Sequence, residues 1–314
     1  MESKNNWKAW LYLAPVIILL AVFTFYPIIN TIYVSFLEGY DYNTGSFDQF
    51  SLYNYLAVLT KTTDEGSYMF NLVMKDALPN TLLITFITVP LSIVISLLIA
   101  LGLNSIKILK KLFQTIFFMP YVTNAIAIGM VFAVVFNADY GIFNSIFGLG
   151  NMGWVSKSQV PGAPGVQYFN GLFAICFYII WHSLPYKILI FLGGLQNIDS
   201  QYYDAAKIDS APKWKVALRI TVPLLSPQIL YMLITSFIGS FKEYNSVVGL
   251  FGKAGGAFVT NGMPETMKTM VFFIYDQVAD NNVQFASAAS VILLIIIMAI
   301  TLIQNRVSKR RVHY

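Results

Sequence analysis

The chain has 314 residues, of which 57% are hydrophobic and only 11% are charged, and its formal net charge is +5. A soluble domain carries about 25% charged residues, so this composition excludes an ordinary soluble protein. A positive net charge can indicate a nucleic-acid partner, but basic cytoplasmic loops give membrane proteins the same excess. We therefore expect a lipid bilayer, and no nucleic acid, around this chain.

The single cysteine, Cys176, lies inside an apolar run and excludes an intrachain disulfide. We interpret it as a small buried hydrophobic residue. One cysteine and two histidines are too few for a zinc site made of these residue types alone, so no metal is expected.

Six segments are apolar enough to cross a membrane, for which a helix needs about 20 residues. In chain order they are 10–37, 78–103, 112–136, 171–195, 223–250 and 285–304. The first is too long for a signal-peptide core and lacks a clear cleavage site, so we expect it to remain as a span. Prolines within or beside the spans are expected to kink helices around a cavity. The sequence thus predicts an all-α integral membrane protein with six transmembrane helices.

Three long loops connect the spans on one side, at 38–77, 137–170 and 251–284. They are rich in Asp, Asn, Gly and aromatic residues, enough for short helices or hairpins that could contact an external partner. We divide the chain into an N-terminal segment 1–9, a first helix with its outer loop 10–77, a core of five spans 78–304 and a basic tail 305–314.

Because cytoplasmic loops are enriched in Lys and Arg, loop charges predict the orientation. One side has thirteen basic residues, namely Lys4, Lys8, Lys107, Lys110, Lys111, Lys207, Lys213, Lys215, Arg219, Arg306, Lys309, Arg310 and Arg311. The other side has five, namely Lys61, Lys75, Lys157, Lys253 and Lys268. Both termini are therefore predicted to be cytoplasmic, and an even number of spans agrees.

The cytoplasmic loop 199–223 has a definite pattern. Asp199 or Ser200 can cap a helix over residues 201–209. Ala205 and Ala206 give that helix a low profile, which would let another protein approach closely. The sequence Ser-Ala-Pro at 210–212 ends it, because proline suits only the first turn of a new helix. The residues Lys213, Trp214, Lys215 and Arg219 then lead back to the bilayer interface. An ordinary amphipathic connector would have the same properties.

This loop resembles the "EAA" loop of binding-protein-dependent ABC importer permeases. That motif runs Glu-Ala-Ala, three residues, Gly, nine residues and Ile-x-Leu-Pro. At the same spacing this chain has Asp204, Ala205, Ala206, Ser210, Ile220, Val222 and Pro223. The segments FFMPY at 117–121, IFLGGLQNI at 190–198, TMKTMV at 266–271 and ASAAS at 286–290 are also similar to sugar-importer permeases. The resemblance favours the first permease of the carbohydrate-uptake group, of maltose, glycerol-3-phosphate and multiple-sugar type.

The resemblance implies a type I importer permease fold and a mechanism. The loop would form a coupling helix that binds a groove on a cytoplasmic ATPase through Tyr203, Asp204, Ala205, Ala206, Lys207, Asp209, Ser210 and Ala211. The implied partners are a second homologous permease, two ATPase copies and an extracellular solute-binding protein, in a bacterial or archaeal cell membrane. ATP and Mg would bind the ATPase, because this chain lacks a G-x-x-x-x-G-K-[ST] phosphate loop. The G-x-G-x-x-G at 148–153 lies in an outer loop without strand-helix context.

Two departures from the family motif have consequences. Asp204 has a shorter side chain than Glu, so the family's salt bridge to the ATPase could be direct or bridged by water. Ser210 would cost about 1 kcal/mol relative to glycine if its backbone is left-handed. We predict that Asp204→Lys abolishes coupled ATP hydrolysis while the complex still assembles.

Charged residues inside spans are functional candidates by default. Lys187, Lys242 and Glu243 qualify, although the lysines could instead extend to the headgroups, and Lys242 and Glu243 could pair with neighbouring helices. On one helix Lys242 and Glu243 would point about 100° apart. Candidates for a carbohydrate path are Tyr121, Asn124, Trp181, His182, Lys242, Glu243, Tyr244 and Asn245. The aromatic ones could equally fill helix interfaces, and His182 could form an interhelical hydrogen bond.

Two other classes of protein compete with this interpretation. A self-sufficient secondary transporter or channel for a small polar solute would leave the patterned loop unexplained. An integral membrane enzyme should have acids, histidines or metal ligands clustered at one membrane depth, and the sequence shows no such cluster. We therefore expect a non-catalytic permease that binds no cofactor of its own.

Overall fold

The computed structural model describes residues 6–61, 66–106, 110–160, 165–259 and 263–308. The predicted cytoplasmic basic residues Lys4, Lys107, Lys309, Arg310 and Arg311 lie outside these ranges. The chain divides into two compact units. One comprises Met1–Val73 and Phe273–Ile295, and the other comprises Met74–Phe272 and Ile296–Tyr314.

The first unit combines a long N-terminal helix with small elements. Its helices are α1 (Asn6–Leu20), which continues through a π-helical stretch (Ala21–Phe25) into α2 (Tyr26–Val34), then α3 (Tyr53–Leu59) and α4 (Gly66–Phe70). Strands β1 (Leu37–Glu38) and β2 (Gln49–Phe50) pair antiparallel. A second π-helical stretch (Asn71–Ala77) begins in this unit. Most of α15 (Met270–Ala279) and the first half of α16 (Val283–Ser308) also belong to it.

Side-chain hydrogen bonds hold the hairpin of the first unit. The Glu38 carboxylate accepts hydrogen bonds from Ser51 Oγ at 2.6 Å and Gln49 Nε2 at 3.1 Å. Buried Asn54 donates to the carbonyl oxygens of Ser35 at 3.1 Å and Leu37 at 2.8 Å. The predicted loop 38–77 thus contains the hairpin and short helices that its composition suggested.

The second unit holds the remaining helices. They are α5 (Leu78–Ser105), α6 (Lys110–Val122), α7 (Ala125–Val135), α8 (Ile142–Phe147), α9 (Tyr168–Gln196), α10 (Ser200–Ile208), α11 (Lys213–Val216), a π-helical stretch (Ala217–Thr221), α12 (Val222–Leu224), α13 (Ser226–Phe241) and α14 (Asn245–Phe251). The pair α5 and α9 makes the most extensive contact, and aromatic residues of α7, α9 and the following segments fill the core.

Buried Asn80 on α5 links three segments of this unit. Its amide nitrogen donates to the carbonyl oxygens of Thr266 at 2.7 Å and Lys268 at 2.9 Å, and its oxygen accepts from Tyr168 Oη at 2.7 Å. An asparagine with no exposed surface is stable only when its polar atoms are satisfied. Asn80 therefore fixes the segment before α15 against α5 and α9.

The predicted outer loop 137–170, which lies in the second unit, is organised around Asp139. Its carboxylate accepts hydrogen bonds from the Ser158 hydroxyl, the Gln159 amide at 3.0 Å and Asn151 Nδ2 at 3.2 Å. These donors, led by Ser158, hold the pKa of Asp139 below its usual value. These hydrogen bonds therefore hold the start of the loop against its middle.

Within the described ranges, four helical stretches are long and apolar enough to span a membrane: Trp10–Val34, Tyr68–Ser105, Tyr168–Gln196 and Val283–Arg306. They correspond to four of the six predicted spans. The other two predicted spans, 112–136 and 223–250, are not continuous helices. The described chain reaches six spans only if each bent helix pair is counted as one.

The predicted span 112–136 breaks between α6 and α7. The two helices differ in direction by 105°. Asn124 lies at the break, and its Oδ1 accepts hydrogen bonds from the amides of Ile126 at 2.9 Å and Ala127 at 3.3 Å. Because asparagine is a strong N-cap, it starts a new helix rather than continuing the old one.

The predicted span 223–250 breaks twice. Residues 213–224 are bent by 67° from α13, and α13 ends at Phe241. Glu243 follows the end of α13, and its Oε1 accepts a hydrogen bond from the Ser246 amide at 3.0 Å in the first turn of α14. The prediction that Lys242 and Glu243 share one helix is therefore wrong, since Lys242 caps α13 and Glu243 lies in the break.

Helices α7 and α14 cross at two glycines. A Cβ added to Gly129 would lie 2.7 Å from Gly249 Cα, and one added to Gly249 would lie 2.9 Å from Gly129 Cα. Small residues let helix backbones approach this closely. The crossing fixes the start of α14, which follows Glu243.

Candidate functional site

A cavity of about 320 Å³ is lined by residues of α5, α6, α9 and α13 and by the break after α13. Most of its polar lining consists of hydroxyl groups, from Thr88, Ser92, Tyr121, Ser183, Tyr186, Thr235, Ser236 and Ser240. The titratable residues His182, Lys187 and Glu243 also line it. Such a surface can form many hydrogen bonds to a polar solute.

Lys187 is the most unusual group of the cavity. It is only 6% exposed, and its Nζ donates to Ser92 Oγ at 2.8 Å and Ser183 Oγ at 2.9 Å. No carboxylate of the described residues lies within 4.0 Å of it. An ammonium group has three donors, so one remains for a ligand. The alternative in which Lys187 extends to the headgroups is wrong, because the hydroxyls of α5 and α9 hold its amine inside the protein.

His182 and Glu243 also contribute polar atoms to the cavity. His182 Nε2 is buried and has no hydrogen-bond partner among the described residues, while its ring lies 5.8 Å from that of Tyr178. Buried polar atoms are normally satisfied, so an unsatisfied one facing a cavity is available to a ligand or water. Glu243 is half-buried and uses one oxygen to cap α14.

Two tyrosines form an aromatic wall. The rings of Tyr121 and Tyr186 stack with centroids 5.7 Å apart and planes 14° apart, and the Tyr186 hydroxyl lies 3.2 Å from that of Tyr231. Aromatic faces beside hydroxyl groups are suited to a sugar ring, which has apolar faces and polar edges.

The structure brings together only some of the residues predicted for a carbohydrate path. Tyr121, His182 and Glu243 line the cavity. The other five have different surroundings: Asn124 caps α7, Trp181 packs on Phe132, Lys242 is exposed at the end of α13, Tyr244 packs on Phe272, and Asn245 is exposed at the start of α14.

Sequence reasoning missed the hydroxyl residues of the cavity other than Tyr121. Helix α5 has Thr81, Thr85, Thr88, Ser92 and Ser96, all buried and spaced three or four residues apart. This spacing places them on one face of an otherwise apolar helix. The stripe was visible in the sequence and indicates that this face of α5 is turned towards protein or a cavity rather than lipid.

The start of the predicted coupling helix is confirmed. Helix α10 begins after Asp199, whose Oδ1 accepts a hydrogen bond from the Gln201 amide at 3.0 Å. At its end Ser210 has φ +50°, its amide donates to the Lys207 carbonyl, and the Ala211 amide donates to the Ala206 carbonyl, each at 3.0 Å. These two bonds form a Schellman motif, so the predicted cost of serine over glycine, about 1 kcal/mol, applies.

The surfaces of α10 differ in exposure. Ala206 is buried against the chain itself, and the Tyr203 hydroxyl lies 3.3 Å from Thr221 Oγ1, whereas Ala205 is exposed. Asp204 forms an exposed ion pair with Lys207 at 2.7 Å. Exposed pairs contribute about 0–1 kcal/mol, so this one orients the carboxylate more than it stabilises the helix.

Two apolar side chains of α10 were not predicted as contacts. Ile208 is 84% exposed and Tyr202 is 53% exposed. A largely exposed isoleucine in a polar loop leaves apolar surface for a partner to cover. The signal was present in the sequence, because residue 208 is the only aliphatic residue larger than alanine in 199–211.

Residues 92–314 match the family model described as the binding-protein-dependent transport system inner membrane component. The chain belongs to this family. The family predicted from the loop is therefore confirmed, and the chain is a multi-pass permease subunit of an ABC importer.

Relatives of the permease include two sugar transport proteins. It is 30% identical over 300 residues to the lactose transport system permease protein LacF of Rhizobium radiobacter, covering 94% of this chain and 91% of that one. It is 31% identical over 307 residues to the arabinooligosaccharides transport system permease protein AraP of Bacillus subtilis, covering 95% and 88%.

A solved structure has the same fold as the permease. It is the bacterial alginate ABC transporter in complex with an alginate pentasaccharide-bound periplasmic protein, with a TM-score of 0.73, 19% sequence identity and coverage of 98% of this chain and 96% of that one. The predicted all-α importer permease fold is therefore confirmed. Among the described residues no group of three or more His, Cys, Asp or Glu could hold a metal ion.

Proposed function

We propose that this permease moves a sugar or oligosaccharide through the cavity around Lys187, powered by ATP hydrolysis on a separate subunit. The main support is the cavity itself, because its eight hydroxyl-bearing residues and stacked tyrosines offer the hydrogen bonds and aromatic faces that a carbohydrate uses. The names of the relatives LacF and AraP agree with a saccharide substrate.

Within this proposal Lys187 donates a hydrogen bond to a solute oxygen. Ser92 and Ser183 hold the amine in place and leave one donor for the solute. Glu243 and His182 would bind solute hydroxyls by accepting or donating hydrogen bonds. A cavity built from hydrogen-bonding groups distinguishes a polyol from an apolar molecule, because the latter would leave those groups unsatisfied.

The coupling loop 199–223 would transmit the conformational change. In our proposal α10 binds a cytoplasmic ATPase with its exposed side, which includes Tyr202, Asp204, Ala205 and Ile208. The buried side, through Ala206 and Tyr203, connects it to the segment that leads into α13. Because residues of α13 line the cavity, a displacement of α10 would reach the solute path through a short covalent connection.

The complete importer would contain a second homologous permease, two ATPase copies that bind ATP and Mg, and an extracellular solute-binding protein. We place it in a bacterial or archaeal cell membrane with both termini in the cytoplasm, since thirteen loop cations lie on that side and five on the other. This chain would bind no cofactor and catalyse no reaction.

Reconstitution tests the proposal. The full chain, copurified with its partners, is placed in proteoliposomes, and uptake of labelled mono- and oligosaccharides is measured with the solute-binding protein outside and ATP inside. We expect uptake only when both are present. Transport of a solute by this chain alone, without ATP, would show that it is a self-sufficient transporter.

A further inference from the structure

The segment between α10 and α13 has the geometry of a helix lying along a membrane surface. Residues 213–224 are bent by 67° from α13. If α13 runs across the bilayer, a helix bent by this angle runs closer to the membrane plane than to its normal. The segment begins right after Pro212, which caps α11.

The side chains of this segment are arranged as in an interfacial helix. Trp214 is 67% exposed and Leu218 is 63% exposed, and their spacing of four residues places them on one side. Lys215 and Arg219, also four apart and exposed, lie on the adjacent side. Interfacial helices combine an aromatic or aliphatic face with a basic face in this way.

The two cations line an open concavity of about 450 Å³. Its other lining residues are Tyr202, Ala205, Ala206, Asp209, Ser210, Ala211, Pro212, Val216 and Ile220. Neither Lys215 nor Arg219 lies within 4.0 Å of a carboxylate in the described ranges, although Asp209 lines the same concavity. The site therefore combines two cations, neither of them in an ion pair within the described residues, with the Asp209 carboxylate and the Ser210 hydroxyl, and its net charge is positive.

We propose that Lys215 and Arg219 bind the phosphate of an anionic phospholipid headgroup, while Trp214 and Leu218 insert among its acyl chains. Charge complementarity favours this ligand, and the apolar residues beside the cations distinguish a lipid from a free phosphate. The assignment rests on the cytoplasmic location of the loop in the proposed function. The bound lipid would hold α10 at a fixed distance from the bilayer.

Lipid retention tests the site directly. Phosphatidylglycerol or phosphatidylcholine is titrated into the detergent-solubilised complex, and bound lipid is counted by native mass spectrometry. We expect preferential retention of phosphatidylglycerol by the wild type. In the double variant Lys215→Gln/Arg219→Gln this affinity should fall roughly thirtyfold, because each cation near an anionic headgroup contributes about five- to sixfold.

Two matched variants control for charge and folding. Lys157→Gln/Lys253→Gln removes the same charge from exposed residues of the outer loops and should retain phosphatidylglycerol like the wild type. The exchange Lys215→Arg/Arg219→Lys keeps both cations and should do the same. Size-exclusion chromatography of every variant establishes that the complex is assembled.

Three outcomes would overturn the lipid site. The first is equal retention of phosphatidylglycerol by the wild type and by Lys215→Gln/Arg219→Gln. The second is binding of glycerol phosphate, which has no acyl chains, as tight as that of phosphatidylglycerol. The third is loss of the ATPase from the Gln double variant while its retention of lipid is unchanged. The last would assign the surface to the ATPase. Uptake is measured on the same preparations. ATP-driven uptake without selective retention of phosphatidylglycerol refutes the lipid site alone. Selective retention of phosphatidylglycerol without uptake refutes the proposed function.

Discussion

The cavity around Lys187 and the loop 199–223 belong to one compact unit but are built in different ways. The lining of the cavity comes from helices far apart in the chain, and Lys187 is joined to Ser92, 95 residues away. The structure of α10 comes from near neighbours, since its cap, its Schellman motif and its ion pair all join residues within five positions of each other.

This difference separates two kinds of functional residue. In the loop, the ion pair on the exposed side of α10 joins two residues of the same helix. Substitution of the exposed side chains should therefore affect the binding of a partner and not the fold. In the cavity, Lys187, Ser92 and Ser183 would face the solute and also form hydrogen bonds with one another. Substitutions there should change transport and packing together.

If the loop acts through a partner, Asp204→Lys should have the largest effect. We expect ATP hydrolysis to become uncoupled from transport, while the permease and the ATPase still copurify. The lysine would also repel Lys207, which now pairs with Asp204. Coupled hydrolysis by the assembled variant at the wild-type rate would contradict the prediction.

The double variant Asp204→Lys/Lys207→Asp separates these two causes. It restores an ion pair within α10 but leaves the charge at residue 204 reversed. We expect it to remain uncoupled. Recovery of coupling would show instead that the ion pair between residues 204 and 207 matters only because it stabilises α10, and not because residue 204 contacts the ATPase.

If the cavity is the solute path, Lys187→Met should reduce transport by roughly ten- to hundredfold, because a hydrogen bond from a charged group contributes about 1.5–3 kcal/mol. Uptake is measured in proteoliposomes at equal protein content. Lys242→Met is the matched control, since Lys242 is exposed and is not among the lining residues. An equal loss in both variants would point to a general effect of lysine removal.

The crossing of α7 and α14 can be tested at Gly249. Gly249→Ala should lower thermal stability by about 1–3 kcal/mol, because its Cβ would meet the backbone of Gly129 and Ile126. Gly193→Ala is the matched change in open space, where helix propensity alone should stabilise by about 1 kcal/mol. Both are measured as shifts in the unfolding midpoint, and equal shifts would refute the crossing.

The smallest expected effect belongs to Ser210. Ser210→Gly should stabilise the end of α10 by about 1 kcal/mol, because glycine adopts the left-handed conformation at no steric cost. Ser210→Ala keeps the Cβ and should give no such gain. Hydrogen exchange of the α10 amides measures the difference, and equal protection in the two variants would contradict a conformational origin.

The comparison of loop and cavity also explains which predictions succeeded. Asp199 as a cap and the left-handed serine depend on interactions within a few residues, which a sequence displays directly. The breaks at Asn124 and Glu243 depend on capping residues inside apolar runs, where hydropathy is insensitive to a helix end. The burial of Lys187 depends on Ser92 and Ser183, which lie on different helices. A contact between distant helices cannot be predicted from a local sequence pattern.

Composition and the apolar segments determined by themselves that this chain is a helical membrane protein, because solvent preference and local hydrogen bonding are properties that each segment has on its own. The importer family came from the resemblance of the loop 199–223 to the EAA motif. Only the tertiary structure decided that Lys187, His182, Glu243 and a stripe of hydroxyls face one cavity, and that Ala206 packs inward while Ala205 does not. The reason is physical: burial depends on which helices meet, and the packing of distant segments decides that.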